Sequence, residues 1–321
     1  MIKKIHILFI VIVVTALSFS CRPKPGQFPS DTFTEADTVY YCDMIIFIAD
    51  DDDASEIVVC EFGREKSGEM HSGEFWGCIY TERRWTKFDK SGKYRLLSSN
   101  PSVVEGPPGV MIRNSGRQFK MEYSGSDFAY ELETGNISTV YQPTNNDKLR
   151  EYYGIGKGKL KINDRKIDGK AFYTFTRWVG YTPVTTKYRT RYKDFERFFL
   201  FGNNTVIIAK ENNADLVTFS STYGLTHVPL PITSHIKAGR FNKTFKAFKT
   251  IVTDRTYDLA LFRIPYGWEI EFDHKHSVVL AGQGYYLDNK ILTGRAIIEV
   301  TGALDSDGRD YELHGVCEFI K

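Results

Sequence analysis

The feature that most constrains the fold is a series of short runs in which apolar and polar side chains alternate with a period of two. In RQFKMEY, at 117–123, Phe119, Met121 and Tyr123 share one face of an extended chain, and the residues between them are charged. Such alternation is typical of a β-strand with one buried face. Comparable runs rich in β-branched and aromatic residues lie at 39–49, 127–133, 158–164, 186–192, 204–210, 257–264 and 311–320.

Turn-forming segments separate these runs, among them SGSD, ETGN, FGNN and DSDG. Strands that recur about every 8–12 residues with turns between them predict a sandwich or an antiparallel barrel rather than a parallel α/β sheet. The best helix candidate is NNDKLREYYG at 145–154, which begins with Asn and ends with Gly. An aromatic content of 14% also fits β-rich packing better than a helical bundle. We therefore predict an all-β protein.

The first 20 residues have the pattern of an export signal. Lys3 and Lys4 precede an apolar segment at 5–17, which is shorter than the roughly 20 residues that span a bilayer. Cys21 follows a small residue, as at a lipoprotein cleavage site, although Leu17 lies four residues before it where the pattern prefers three. A plain secretory signal and an uncleaved anchor are the alternatives.

We expect Cys21 to become the acylated first residue of the mature chain, followed by a flexible Pro-rich tether at 21–37. The expected location is then a bacterial cell envelope, with the chain anchored by lipid (palmitate) to the inner or outer membrane. The protein would face the periplasm or the exterior.

The charge balance argues against a nucleic-acid partner. The chain has 42 Lys+Arg and 40 Asp+Glu, and removal of Lys3 and Lys4 with the signal leaves 40 of each. A near-neutral chain lacks the basic footprint of nucleic-acid binding. The sequence contains no Gly-x-Ser-x-Gly elbow, phosphate-binding loop or Cys-x-x-Cys pair, so hydrolase, nucleotide and thiol-redox functions have no support. We expect no cofactor.

The cysteines beyond Cys21 allow two arrangements. Cys60 and Cys78 flank a turn near residue 69, and a hairpin centred there would place them opposite each other, so an exported protein could join them by a disulfide. The alternative is four buried free thiols, because cysteine packs as a small hydrophobe. These would be Cys42, Cys60, Cys78 and Cys317.

One pattern recurs along the chain. DGKAFYTFTRW at 168–178 and TGRAIIEVTG at 293–302 both contain Gly, a basic residue and Ala before a strand-like run. Two β-barrel halves with similar endings would explain the recurrence. We predict an N-terminal barrel at 38–184 and a C-terminal barrel at 185–321.

Three segments resemble the AttH-like and carotenoid 1,2-hydratase (hydroxyneurosporene synthase) group. They are GIGKGKLKINDRKIDGKAFYTFTRWVGY at 154–181, YKDFERFFLFGNNTVII at 192–208 and GRAIIEVTG at 294–302. The resemblance covers roughly 150–305 and implies two lipocalin-like β-barrels packed together, with a pocket for long apolar molecules. Members include proteins that hydrate a carotenoid double bond. Where those members have a His, this chain has Thr176, whose hydroxyl cannot protonate an alkene.

The resemblance places Arg177 and Trp178 where the motif turns toward its pocket. An Arg beside an aromatic face could hold a ligand carboxylate or head group. The alternative is a barrel-end Trp covered by an exposed Arg. Tyr257, Trp268 and Tyr285 are further candidates for contact with a hydrophobic or amphipathic small molecule. Binding of such a molecule is the leading prediction of function.

An enzyme that hydrates or isomerises an isoprenoid-like lipid is the second prediction, and Asp258 or Glu299 would be its acid. A carboxylate inside a barrel has a raised pKa and can donate a proton. Alternation equally allows Glu299 to face solvent, with Ile298 and Val300 inward. A surface scaffold for protein interactions is the third prediction.

The segment EFDHKHS at 271–277 contains Asp273, His274 and His276, and His235 or His314 could add a third histidine ligand for a metal. The same segment fits the polar end of a hairpin, and we predict no metal site.

Overall fold

The structure is a computed structural model that describes most of the chain beyond residue 37. The described residues are 38–50, 56–67, 70–81, 84–94, 103–105, 110–114, 118–125, 129–145, 149–179, 195–212, 217–221, 224–228, 233–238, 240–246, 248–257, 263–290 and 293–320. Within them, no helix is long and apolar enough to cross a membrane.

All regular elements of the described residues are β-strands. The first part of the chain forms β1 (Thr38–Ala49), β2 (Ile57–Ser67), β3 (Met70–Thr81), β4 (Arg84–Tyr94), β5 (Val103–Glu105), β6 (Val110–Asn114), β7 (Phe119–Ser124), β8 (Ala129–Thr134), β9 (Ser138–Asn145), β10 (Leu149–Ile162) and β11 (Arg165–Val179). The second part forms β12 (Phe195–Gly202), β13 (Thr205–Asn212), β14 (Val217–Ser221), β15 (Gly224–Val228), β16 (Thr233–Ala238), β17 (Phe241–Phe245), β18 (Lys249–Tyr257), β19 (Arg263–Asp273), β20 (His276–Lys290), β21 (Thr293–Ser306) and β22 (Asp310–Ile320).

The strands form two large antiparallel sheets, each curled into a half-barrel. Sheet 1 has the order β4-β3-β2-β1-β11-β10-β8-β7-β6-β5, and β9 also pairs with β10. Sheet 2 has the order β17-β16-β13-β12-β22-β21-β20-β19-β18, while β14 and β15 pair separately. In both sheets the first strand pairs with the last, so β1 lies beside β11 and β12 beside β22. The predicted all-β class with two lipocalin-like domains is confirmed.

Sheet 1 lies within 38–179 and sheet 2 within 195–320. The predicted boundary between 184 and 185 falls in 180–194, outside the described residues. The run at 186–192 and the expected signal and tether at 1–37 also lie outside them.

Two predictions of local structure are wrong. The helix predicted at 145–154 is instead the end of β9 and the start of β10, because Tyr152 and Tyr153 are buried on opposite faces of a strand paired with β11. The single strand predicted at 257–264 is instead the ends of two strands, since Tyr257 pairs with Arg263 in the β18–β19 ladder. In both places the pairing of strands overrides the local sequence preference.

The recurring Gly-basic-Ala pattern does not mark equivalent strands. Gly169 lies on β11, the last strand of sheet 1, whereas Gly294 lies on β21, the penultimate strand of sheet 2. By position in its sheet, β11 corresponds to β22. The two sheets therefore have similar topology, but the motif does not lie on corresponding strands.

The central strands are buried on both faces. On β1, Ile45 and Phe47 point into the half-barrel of sheet 1, whereas Met44 and Ile46 point toward sheet 2. On β12, Phe198 enters the half-barrel of sheet 2, and its neighbours face sheet 1. This double burial explains why runs such as DMIIFIA are almost continuously apolar. The described residues thus form three cores, one inside each half-barrel and one between them.

Of the two cysteine arrangements that the sequence allows, the structure has the free thiols, and Cys60 and Cys78 are not joined by a disulfide. The β2–β3 ladder pairs Cys60 with Gly77 and Val59 with Cys78. A shift of one residue turns a side chain to the other face of a sheet. Cys60 therefore lies inside the half-barrel, where burial raises its pKa to about 12, and Cys78 lies between the sheets.

Candidate functional site

The layer between the two sheets has three zones. The apolar seam is a core to which both sheets contribute. It consists of Met44, Ile46, Ile48, Ile57, Val59, Cys78, Tyr153, Phe172, Phe199, Phe201, Ile208, Ile297 and Val316. The charged network lies to one side of the seam and consists of Glu61, Glu151, Arg197, Lys210, Arg295 and Glu318. The inter-sheet groove, described below, lies to the other side.

Strand alternation directs the charged network into this layer. Arg197 lies two residues before Phe199 on β12, and Glu318 lies two residues after Val316 on β22. Residues two apart on a strand share a face. Because Phe199 and Val316 face sheet 1, the two charged side chains face it as well. Their positions are therefore consequences of the same pattern that builds the apolar seam.

One ion pair in the network joins the sheets through Lys210 of β13 and Glu151 of β10. The Lys210 ammonium donates a hydrogen bond of 2.6 Å to Glu151 Oε1, and the Tyr153 hydroxyl donates another of 2.6 Å to the same atom. The side chains of Lys210 and Glu151 are only 6% and 4% exposed. Buried charges of this kind are tolerated only when paired.

A second set of ion pairs centres on Glu318, whose side chain is 1% exposed. Arg197 Nε donates a hydrogen bond of 2.7 Å to Glu318 Oε2, and Arg295 forms an ion pair with Glu318 Oε1. Arg295 also reaches across to Glu61 of β2, with a distance of 2.9 Å between Nη2 and Oε2. Its guanidinium lies 4.0 Å from the ring centroid of Trp76, also in sheet 1. One cation thus contacts both sheets.

The network shifts the ionisation of its carboxylates. Burial alone would raise the pKa of Glu318, but the nearby guanidinium groups of Arg197 and Arg295 outweigh burial and lower it. Burial likewise opposes ionisation of Glu151, and Lys210, with the hydrogen bond from Tyr153, lowers its pKa below the ordinary value. Both carboxylates are therefore charged at neutral pH and act as structural anions rather than as acids.

A rim of aromatic side chains borders the network. Trp76 Nε1 donates a hydrogen bond of 2.9 Å to Asp288 Oδ2. The other carboxylate oxygen of Asp288 accepts a hydrogen bond of 3.2 Å from the ammonium group of Lys87, which also belongs to sheet 1. The ring of Tyr286 lies between Trp76 and Trp85, with centroid distances of 6.4 and 6.1 Å. Cross-sheet contacts thus continue to the edge of the layer.

Thr176, where the sequence resemblance predicts that hydratase-like members have a His, borders the charged network. On β11 it pairs with Cys42 of β1 and with Glu151 of β10. Burial, followed by the charge of Glu61, raises the pKa of the Cys42 thiol well above its ordinary value, so this thiol is not a nucleophile at neutral pH. Of the two strand partners of Thr176 that the structure describes, Glu151 belongs to a structural ion pair and Cys42 is a thiol of raised pKa, so neither replaces a His as proton donor.

The inter-sheet groove has a volume of about 650 Å³ and is formed by both sheets. Its apolar lining is Ile155, Phe201 and Val206. His314 also lines the groove, and the centroids of its ring and of the Phe201 ring are 3.9 Å apart. Its polar lining is Asp50, Lys170, Asn203, Asn204, Thr205 and Lys237, together with the backbone of Gly202. The Asn203–Asn204 turn joins β12 to β13, and Asn204 adopts a φ of 57°, which asparagine tolerates better than most residues.

The groove carries more positive than negative charge. Lys170 forms an ion pair with Asp50 at 3.1 Å, and Lys237 has no carboxylate partner among the described residues. A cationic rim beside an apolar wall can bind a molecule with an acidic group and an apolar body.

The ligand-contact residues predicted from the sequence do not converge on one site. Trp268 is fully buried inside the half-barrel of sheet 2, where its Nε1 donates a hydrogen bond of 3.2 Å to Glu196 Oε1. Tyr257 is 63% exposed at the end of β18. Tyr285 is half-buried and meets Tyr266 edge-on, with ring centroids 6.3 Å apart. None of the three lines the inter-sheet groove.

Arg177 and Trp178 lie on β11 opposite Tyr41 and Tyr40 of β1. Their side chains are outside what the structure describes, so their predicted role stays a prediction. The same holds for Asp258, which lies in 258–262.

Glu299 is half-buried on β21, and Ile298 and Val300 on either side of it point into the half-barrel, as the alternation predicted. Burial raises the pKa of Glu299 above its ordinary value. On its own face of the sheet, Glu299 pairs with Val316, and the next position along the same face pairs Thr301 with His314 of the groove. The carboxyl thus lies one row from the groove lining.

The histidines considered as metal ligands are separated. His276 Nδ1 lies 2.6 Å from Asp273 Oδ1, and its ring stacks on Phe241. His235 Nδ1 instead contacts the hydroxyl of Thr244, at 2.9 Å. Among the described residues, no group of three or more His, Cys, Asp or Glu side chains is placed to hold a metal ion.

Sequence reasoning missed the charged network, although the sequence contains a signal for it. Arg197, Lys210, Arg295 and Glu318 are charged residues within or at the end of largely apolar runs: FERFFLF, TVIIAK, GRAIIEV and GVCEFI. Such charges in strands that are buried on both faces must be paired. The identity of each partner depends on how the sheets face each other, which the sequence pattern does not give.

Lys210→Met should lower the free energy of unfolding by about 3–5 kcal/mol, because it removes the cation that pairs with the buried carboxylate of Glu151. The double variant Lys210→Met/Glu151→Gln should lose clearly less free energy of unfolding than the Lys210→Met and Glu151→Gln variants lose together. Urea unfolding measures all three, and Lys161→Met on the exposed face of β10 is the control. Additive losses would contradict a coupled buried pair.

The fold is shared with proteins of known structure. Kievitone hydratase from Nectria haematococca is 9% identical, with a TM-score of 0.56 over 88% of each chain. A candidate AttH protein from Nitrosomonas europaea is also 9% identical, with a TM-score of 0.57 over 92% of this chain and 97% of the other. CghA, in a structure determined with Sch210972, has a TM-score of 0.51 at 9% identity, over 88% of each chain.

No family model matches the sequence. No curated protein is significantly similar to it either. At 9% identity the likeness to these structures is one of fold alone. The chain therefore has the AttH-like, double lipocalin-like fold of kievitone hydratase and CghA.

Proposed function

We propose that this protein binds an amphipathic small molecule with an acidic group in the inter-sheet groove. The observation that carries the proposal is the groove itself, a cleft of about 650 Å³ in which a cationic rim lies beside an apolar wall. This volume lies within the roughly 300–1,000 Å³ that is usual for small-molecule sites. The proposal keeps the predicted ligand class and moves the site away from Trp268 and Tyr257.

The apolar wall supports a ligand with a hydrophobic body. Phe201 belongs to the apolar seam, and Ile155 and Val206 pack against the seam. A ligand that covers these side chains removes their apolar surface from water, which is the main driving force for binding.

The rim supports an acidic group on the same ligand. Lys237 is exposed and unpaired among the described residues, and Lys170 is held by Asp50 alone. A carboxylate or phosphate that enters the groove would gain charge-assisted hydrogen bonds from both ammonium groups. CghA, whose fold this chain shares, was crystallised with Sch210972, and this supports ligand binding by the fold.

The ligand should be detectable by mass spectrometry of an organic extract of the natively purified chain. Val206→Trp fills the groove and should reduce the recovered ligand at least about tenfold, whereas Val279→Trp, at a position 58% exposed, should not. Lys237→Gln should weaken binding of the recovered ligand in titrations. Full recovery from the Val206→Trp variant would place the ligand elsewhere.

We also propose that the chain acts at a bacterial cell envelope, anchored by a lipid on Cys21. The support is the sequence of the first 21 residues, in which a basic start and an apolar segment precede a small residue and Cys21. A lipid anchor would hold the groove near the membrane, where amphipathic molecules concentrate.

Cys21→Ser should abolish lipid attachment, because the thiol is the site of acylation. Intact-mass measurement should show an acylated N-terminal Cys21 in the unaltered chain and none in the variant. In cell fractionation, we expect the variant either outside the membrane fraction or within it with its signal uncleaved. Cys42→Ser is the control, and an unmodified Cys21 in the unaltered chain would refute the anchor.

A second candidate function is proton donation to a bound alkene by Glu299. The observation that favours it is the raised pKa of Glu299 on the face that also carries His314 of the groove. A carboxylic acid that stays protonated nearer to neutral pH is a better proton donor there.

If Glu299 is this acid, turnover of the extracted ligand should be present below the raised pKa of Glu299 and be lost as pH rises through it. Glu299→Gln should then abolish the incorporation of ¹⁸O from labelled water into the product, while ligand binding persists. Glu269→Gln on the exposed side of β19 is the control. Incorporation that survives Glu299→Gln would exclude this role.

A further inference from the structure

A second groove, about 230 Å³ in volume, lies on the β18–β19 hairpin at the edge of sheet 2. It is lined by Val252, Thr253, Asp254, Arg255, Tyr257 and Arg263. None of these residues belongs to the inter-sheet groove or to the charged network. Among the strands that the structure describes, β18 is the last of its sheet and pairs on one side only, with β19.

Strand pairing brings Tyr257 and the two arginines of this groove onto one face of the hairpin. Beyond the register shift at Tyr266, the ladder pairs Arg255 with Pro265 and Tyr257 with Arg263. Residues two apart on a strand share a face, so Arg255 lies on the same face as Tyr257. Arg263 lies opposite Tyr257, and its neighbour Ile264 points into the half-barrel, so this shared face is the outer one.

The two guanidinium groups of this groove have no carboxylate partner among the described residues. Tyr257 pairs directly with Arg263 across the ladder, and the Arg263 guanidinium lies 5.8 Å from the Tyr257 ring centroid. The carboxylate of Asp254 accepts a hydrogen bond of 2.7 Å from the backbone N–H of Arg255. Asp254 is the one acid among the described lining residues, and its hydrogen bond is to the backbone rather than to either guanidinium group.

We propose that this edge groove binds an oxyanion, a phosphate, sulfate or carboxylate group of a small molecule or a lipid head group. Two guanidinium groups on neighbouring strands can each offer a pair of N–H donors to such a group. The Tyr257 ring supports the Arg263 side chain through its face and limits the rotamers that Arg263 can adopt. The site is independent of the ligand proposed for the inter-sheet groove.

The test is calorimetric titration of the full-length chain in detergent with inorganic phosphate. The double variant Arg255→Gln/Arg263→Gln should weaken binding about tenfold or more, because charge-assisted hydrogen bonds are lost. The matched control is Lys249→Gln, which removes one positive charge from the same strand at an exposed position and should change affinity less than about twofold. The Arg263→Lys variant keeps the positive charge but loses the planar guanidinium group. We expect its affinity for phosphate to lie between that of the double variant and that of the unaltered chain.

Co-sedimentation with vesicles distinguishes the two sources of the oxyanion. Vesicles of phosphatidylcholine with added phosphatidylglycerol are compared with phosphatidylcholine alone, for both the unaltered chain and the double variant, which have the same N-terminal segment. Phosphate binding that depends on the two arginines supports a free oxyanion. Arginine-dependent preference for phosphatidylglycerol supports a lipid head group. Absence of both effects, or effects that survive the double variant, would overturn the proposal.

Discussion

The pairing of buried charges across the two sheets is the constraint on which the rest of the structure depends. An unpaired Glu151 or Lys210 in this layer would cost several kcal/mol of desolvation, so the sheets are stable against each other only in an arrangement that pairs these two groups. The apolar seam supplies attraction but little directional preference. The ion pairs between Arg295 and Glu61, and between Lys210 and Glu151, set the orientation of one half-barrel on the other.

This division explains how a fold is kept at 9% identity to its structural neighbours. Alternation of apolar residues and the pairing of the first strand with the last determine each half-barrel, and many sequences satisfy both. The position of Thr176 shows the consequence. This residue lies on β11 beside structural ion pairs, and no chemistry at this position follows from the shared fold alone.

The sequence predicted the fold class and most strand positions because period-two alternation is a local signal. It failed where the outcome depends on a partner strand. The register between β2 and β3, which separates Cys60 from Cys78, is one example, and the strand at 149–162, whose first residues have a helix-like pattern, is another. The recurrence of Gly169 and Gly294 misled for the same reason, since a Gly within a strand carries no information on strand order. Aromatic content predicted ligand contacts, but Trp268 is a core residue that hydrogen-bonds Glu196.

The inter-sheet groove could not be found from sequence because neither sheet forms it alone. Ile155 and Lys170 come from sheet 1, while Val206 and Lys237 come from sheet 2, and no spacing in the chain links them. The layer between the sheets separates two requirements in space. Charges at one side are buried, paired and unable to change without loss of stability, whereas the cations of the groove are exposed or weakly held. A ligand can therefore use Lys170 and Lys237 without competing for the ion pairs that hold the half-barrels together.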